Sequence, residues 1–220
     1  INSKGQPLGG AGAGNGSFSV GEVYIINKSI TTTVSANFKS VGAYDGWILE
    51  SGENSKAGGT LDRNATTLNV GDDQKDRQYR SILSFDTSSL PNNAVVVSAQ
   101  LKVKRQDVVG TDPFGTHGAL VSEIRNGPFG STTPLQLLDF SSLASPGAVR
   151  DQFAALTSSW YAAQFSNANL IFINKVGTTQ FRLLFSKDDN DDLSPDYIKF
   201  FSGNSTDENK PELIVTYYLP

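Results

Sequence analysis

Apolar and polar positions alternate over short runs of this chain, and clusters of turn-forming residues separate the runs. The alternation is cleanest where Leu101 and Val103 interleave with Lys102 and Lys104, the period of a strand with one face in a core and the other in water. The same rhythm marks Tyr79 to Phe85, Val95 to Lys104, Leu120 to Ile124, Phe181 to Phe185, Tyr197 to Phe201 and Leu213 to Tyr217. Between the runs stand Leu90-Pro91-Asn92-Asn93, Gly110-Thr111-Asp112-Pro113, Asn126-Gly127-Pro128, Asp188 to Asp192 and Ser202-Gly203-Asn204, which favour tight turns and antiparallel connections. The pattern predicts an all-β fold, an antiparallel β-sandwich. One short helix is expected over Gly147 to Leu156, where Val149, Phe153 and Leu156 recur at i, i+4 and i+7 after Ser145-Pro146.

The N-terminus departs from this rhythm. Residues 1–16 carry Gly5, Gly9, Gly10, Gly12, Gly14 and Gly16, the composition of an arm whose ordering costs much entropy. Residues 17–38 turn β-rich, with Phe18, Val20, Val23 and Ile25 spaced among small and polar residues. The expected organisation is therefore a Gly-rich arm over 1–16, a β-rich segment over 17–38 and a sandwich over 39–220.

At 220 residues, 38% hydrophobic and 18% charged, the chain has the size and apolar content for a single sandwich and is too apolar for disorder. Its net charge of −4 is spread along the sequence with no basic stripe, which argues against nucleic acid as a partner. There is no cysteine, which excludes disulfides, thiolate metal sites and a cysteine nucleophile. A start at Ile1 and the lack of any methionine read as a mature product after signal-peptide removal, so an extracellular or cell-surface location is expected. No apolar run approaches the ~18 residues that span a bilayer, so membrane insertion of the mature chain is not expected.

Candidate chemistry is sparse. The only histidine, His117, lies in a Gly-rich connection without a G-x-S-x-G elbow or a marked serine, so it reads as a structural loop residue rather than a catalytic base, and no enzyme is expected. Without histidine clusters or cysteine, a metal would need oxygen ligands. Asp188, Asp189, Asn190, Asp191 and Asp192 crowd five such side chains into one turn, making Ca²⁺ the candidate cofactor there against a plainly solvated acidic turn. Asp72, Asp73 and Asp76 form a second, weaker acidic turn. Tyr44, Trp47, Trp160 and Tyr161 are candidates for stacking on a sugar, against the reading that the two tryptophans anchor the core. Phe18, Val20, Val23 and Ile25 are candidates for a strand donated to a neighbour's sheet.

A longer match carries more. Val70-Gly71-Asp72, then Tyr79-Arg80-Ser81-Ile82-Leu83-Ser84-Phe85-Asp86-Thr87-Ser88-Ser89-Leu90-Pro91 and Ser98-Ala99-Gln100-Leu101, resemble the core signature of DNRLRE-type domains. Gln180-Phe181-Arg182-Leu183, Asp188 to Asp192, Asp196-Tyr197-Ile198, Ser202-Gly203-Asn204 and Pro211 to Tyr218 continue the resemblance, which runs from about Gly46 to Tyr218. It implies a jelly-roll-like sandwich similar to carbohydrate-binding modules of secreted and surface proteins of bacteria and archaea, often with structural calcium, and it implies no reaction. Residues 1–38 precede the matched region. Two functions follow as expectations. The first is a structural subunit of a surface filament or matrix, a head-to-tail homopolymer built by strand addition. The alternative is a calcium-stabilised carbohydrate-binding module with polysaccharide as its partner.

Overall fold

The computed structural model describes residues 32–220. In chain order the strands are β1 (Val34–Lys39), β2 (Gly46–Glu50), β3 (Gly58–Asp62), β4 (Thr67–Asp72), β5 (Gln78–Asp86), β6 (Val95–Val109), β7 (Leu120–Asn126), β8 (Asp151–Ala155), β9 (Trp160–Gln164), β10 (Thr178–Phe185), β11 (Asp196–Phe201) and β12 (Glu212–Tyr218). Two four-residue helices, α1 (Pro113–Thr116) and α2 (Asn167–Leu170), sit in connections. The fold is all-β, and every strand pairing is antiparallel.

Eight strands close a ring in the order β6-β11-β4-β5-β10-β7-β8-β9, because β9 returns to pair with β6. Closure works because β6 is long. Its Gln100–Lys104 stretch pairs with β9, and Arg105–Val109 pair with β11. Outside the ring, β12 flanks the first half of β6 and β1 flanks β12, while β2 pairs with β5 and β3 with β2. Val34 to Phe38, grouped by sequence with the N-terminal segment, thus form a strand of the described fold. Phe18, Val20, Val23 and Ile25 lie outside the described residues.

The ring encloses the main core. Leu101 and Val103 are fully buried while Lys102 and Lys104 stay partly exposed, as their alternation predicts. Phe85, Phe165 and Phe181 meet at its centre, with the Phe165 and Phe181 rings stacked 5.1 Å apart. Each such phenylalanine is worth about 3–5 kcal/mol against alanine. A smaller cluster of Ile48, Ile82, Phe129, Leu135 and Phe140 is formed by β2, β5 and the connection after β7.

The helix expected over Gly147 to Leu156 is instead strand β8. Asp151 and Phe153 are buried in alternation with exposed Gln152 and Ala154, and Phe153 pairs with Ala163. Val149 and Leu156, needed for the helical face, are 46% and 48% exposed. A single inward Phe at period 2, in a strand that pairs with β7 on one side and β9 on the other, outweighs the i, i+4, i+7 coincidence.

Two buried carboxylates tie elements together. Arg182 on β10 donates to Glu123 on β7 and to the carbonyls of Asp139, Phe140 and Ser142, clamping the connection between β7 and β8. Asp45, fully buried, accepts from the Ser84 N–H at 2.8 Å and the Gly203 N–H at 2.9 Å, joining the start of β2 to β5 and to the turn before β12.

Candidate functional site

One end of the ring gathers the acidic turns. The end of β4, the 73–77 turn, the segment after β6 and the 186–195 connection converge there because two glycines admit close backbone approach. A Cβ on Gly71 (φ +132°) would lie 2.1 Å from the Asp196 carbonyl oxygen, and one on Gly110 (φ +74°) 1.5 Å from that of Pro195. Asp72, Asp196 and His117 are fully buried. His117 Nε2 faces Asp72 Oδ1 at 3.3 Å, and its Nδ1 meets the Thr116 hydroxyl at 2.7 Å. The imidazole is thus enclosed by the fold with no surface of its own. Asp72 Oδ1 accepts the Asp196 N–H, and Asp196 Oδ1 accepts the Thr111 N–H.

Of the five residues proposed for calcium, Asp188, Asp191 and Asp192 are exposed while Asp189 and Asn190 are half-buried. Asn190 donates from Nδ2 to Asp192 at 2.9 Å and to Asp196 at 3.2 Å, linking the turn to the buried carboxylates. Asp76, from the other acidic turn, accepts the Leu193 N–H at 3.0 Å, whereas Asp73 is engaged by Arg77. Burial, then the charges of Asp188 and Asp191, pushes the Asp189 carboxyl up to about 6. Asp72 Oδ2, His117 Nε2 and Asn190 Oδ1 are buried without a hydrogen-bond partner. Even so, among the described residues no three or more His, Cys, Asp or Glu side chains are gathered as a metal cage.

The four aromatic candidates are not brought onto one platform. Trp47 packs edge-on against Tyr79 (5.3 Å), which in turn meets Tyr197 (5.1 Å), with Lys199 over the Tyr197 ring. Trp160 lies elsewhere, beneath the ammonium groups of Lys102 (4.7 Å) and Lys104 (5.9 Å). Tyr161 turns the other way, stacked on Phe114 and edge-on to Phe200, closing the core. Tyr44 sits in the 3-10 turn before β2, its carbonyl accepting the Ser84 hydroxyl. Both tryptophans are half-buried and stand outside the buried core, so neither is the core anchor that its size predicts. Tyr79 and Tyr197 were missed by sequence reasoning because strand periodicity alone does not show that β4 contributes only Gly71 between them.

Away from the acidic end, the start of β6 and the chain around α2 enclose an open cleft of about 620 Å³, lined mainly by Val95, Val96, Val97, Leu170, Ile171 and Ile173. Ile171 is 75% exposed and Val97 40%. These residues also escaped the sequence reading, since Leu170-Ile171-Phe172-Ile173 has the composition of a core segment. At the margin of the same sheet, β1 pairs only with β12 among the described residues. Among the described residues no helix is long and apolar enough to cross a membrane.

No protein-family model and no curated protein matches this chain. Among solved structures it is similar to a chain of mud crab tombus-like virus determined by cryo-electron microscopy. The two share 10% identity over 98% of this chain and 94% of that one, with a TM-score of 0.31, a likeness too slight to bear on fold or function.

Proposed function

We propose that this chain is a non-catalytic extracellular structural subunit, built on a jelly-roll-like sandwich, that polymerises into a surface filament or matrix by adding a strand from its N-terminal segment to a neighbouring subunit. The observation that carries this reading is the closure of the ring by β6 and β9 within residues 32–220, with the core filled. The ring closes without a strand from residues 1–31, and on this reading Phe18, Val20, Val23 and Ile25 of those residues serve a second subunit. Strand addition would supply main-chain hydrogen bonds and pockets for alternate side chains, and a head-to-tail contact that does not close propagates as a fibre. Deleting residues 1–31 is expected to abolish polymers in negative-stain electron microscopy while leaving the melting temperature of the sandwich within a few degrees of the full chain. Filaments of unchanged length from the truncated chain would refute the proposal.

A second reading, the calcium-stabilised carbohydrate-binding module, has one observation in its favour. The Trp47, Tyr79 and Tyr197 cluster borders the acidic turns, with Tyr197 adjacent to Asp196. Calcium binding there would have to draw the Asp188–Asp192 side chains inward from the positions described. On this reading, retention on insoluble polysaccharide falls at least tenfold in Tyr197→Ala, and 5 mM EDTA weakens the wild-type chain likewise. Equal retention of wild type and variant would leave the cluster as packing alone.

A further inference from the structure

We infer that the acceptor for the donated strand is the cleft between the start of β6 and α2, and that its occupant is residues 18–25 of a second copy of this chain. The inference rests on the assembly reading above and names the site at which it operates.

The cleft exists because β9 is shorter than the strand it pairs with. β6 is partnered by β9 over Gln100–Lys104, but before Gln100 it has β12 on one side and no strand on the other among the described residues. β9 ends at Gln164, the Phe165 N–H donates to the Ala99 carbonyl at 2.9 Å, and the chain then leaves the sheet for α2. That departure leaves a gap beside Val95–Ser98. Val97 falls at an irregularity in the β12 register, between Val96↔Tyr217 and Ser98↔Thr216, and among the described residues takes a strand partner from neither side. Such an unpaired edge is what an incoming strand hydrogen-bonds.

The side chains flanking this edge select the kind of strand. Val95 is 39% exposed, Val97 40% and Ile171 75%, an apolar lining left in water by the described fold. The Lys175 ammonium, 2.9 Å from the Ala94 carbonyl, marks one end of the cleft. Val95 to Ser98 span about 10 Å at ~3.3 Å per residue, room for two apolar side chains at i and i+2. Phe18 with Val20, and Val23 with Ile25, have that spacing.

The root of the segment lies on the same part of the sheet. Val34 pairs with Tyr217, which pairs with Val96, so β1 begins two strand spacings, about 10 Å, from the cleft. The eight residues between Ile25 and Val34 reach at most ~27 Å when extended, enough to carry the donor strand across to a subunit packed alongside.

A complementation experiment tests this. Ile171→Glu places a charge in the cleft at a position exposed enough to keep the fold, and Val97→Glu is a second, independent block. Each variant is checked by its thermal melt. Ile171→Glu with an intact arm, and the chain lacking residues 1–31 with an intact cleft, are each expected to be monomeric by light scattering. Mixed one to one, they are expected to form a heterodimer and nothing larger. The absence of a heterodimer from two folded monomers would overturn the inference. Wild-type polymerisation by both Ile171→Glu and Val97→Glu would also overturn the cleft as acceptor, while a monomeric truncated chain would still uphold the assembly reading. Polymerisation of the truncated chain would instead bring down the assembly reading itself.

Discussion

Glu123 and Asp45 are both buried carboxylates that fasten a connection to the barrel, yet their surroundings push them in opposite directions. Burial alone would raise both. At Glu123 the charge and hydrogen bonds of Arg182, joined by Arg150, outweigh that cost and hold the carboxyl below its usual 4.5. Asp45 has only neutral donors, the N–H groups of Ser84 and Gly203, and burial pushes it up to about 7 in spite of them. Similar connecting roles are therefore reached by different means. A formal countercharge keeps one site ionised at neutral pH, while dipoles alone leave the other divided between its two states.

Removing the countercharge should break this contrast with the largest effect. Arg182→Ala leaves Glu123 buried without its main partner and the Asp139 and Ser142 carbonyls without their side-chain donor, Phe140 keeping Arg80, and is expected to cost about 3–5 kcal/mol in urea unfolding. A loss under ~1 kcal/mol would mean that water replaces the guanidinium. The smaller effect concerns the other site and is read as a slope. Asp45 binds its proton more tightly folded than unfolded, so its contribution is fully present below the unfolded value of 3.8 and is lost as pH rises through about 7. Stability from this group should fall between pH 4 and 7 by at most about 1.4 kcal/mol per pH unit. Asp45→Asn is expected to flatten that slope, whatever it does to mean stability. Glu123 works in the opposite sense, its contribution present above 4.5 and lost as pH falls through its lowered folded value, so the two sites separate in a pH series.

Much of the barrel was legible because its inward positions obey a local rule. β5, β6, β7, β10, β11 and β12 all lie where alternation or an apolar run placed them, since a strand with one face in a core must show period 2. β2, β3 and β4 were not legible. Gly46, Gly58 and Gly71 interrupt their patterns, and part of β2 buries its side chains against the outer cluster rather than the ring's interior. β8 was misread because five residues, two of them buried, carry too little period to exclude a helix. β6 ran on to Val109 through Arg105 and Asp107 because its second half changes partner from β9 to β11.

For the sites, sequence supplied the acidic residues and the aromatics but not their company. Asp188 to Asp192 are adjacent in the chain, yet the buried partners Asp72, Asp196 and His117 come from three other segments. Tyr44, Trp47, Trp160 and Tyr161 are equivalent as a list and went to four separate places.

By itself, then, the sequence determined the all-β class, the turn positions and most inward-facing side chains, because these depend on the preferences of a residue and its near neighbours. Only the tertiary structure decided which strand ends are left without a partner. The cleft beside Val95–Ser98 arises from the mismatch between the lengths of β6 and β9 and from the point where the chain departs for α2. That is a relation between segments more than sixty residues apart, settled by ring closure and core packing and written in no single stretch of the chain.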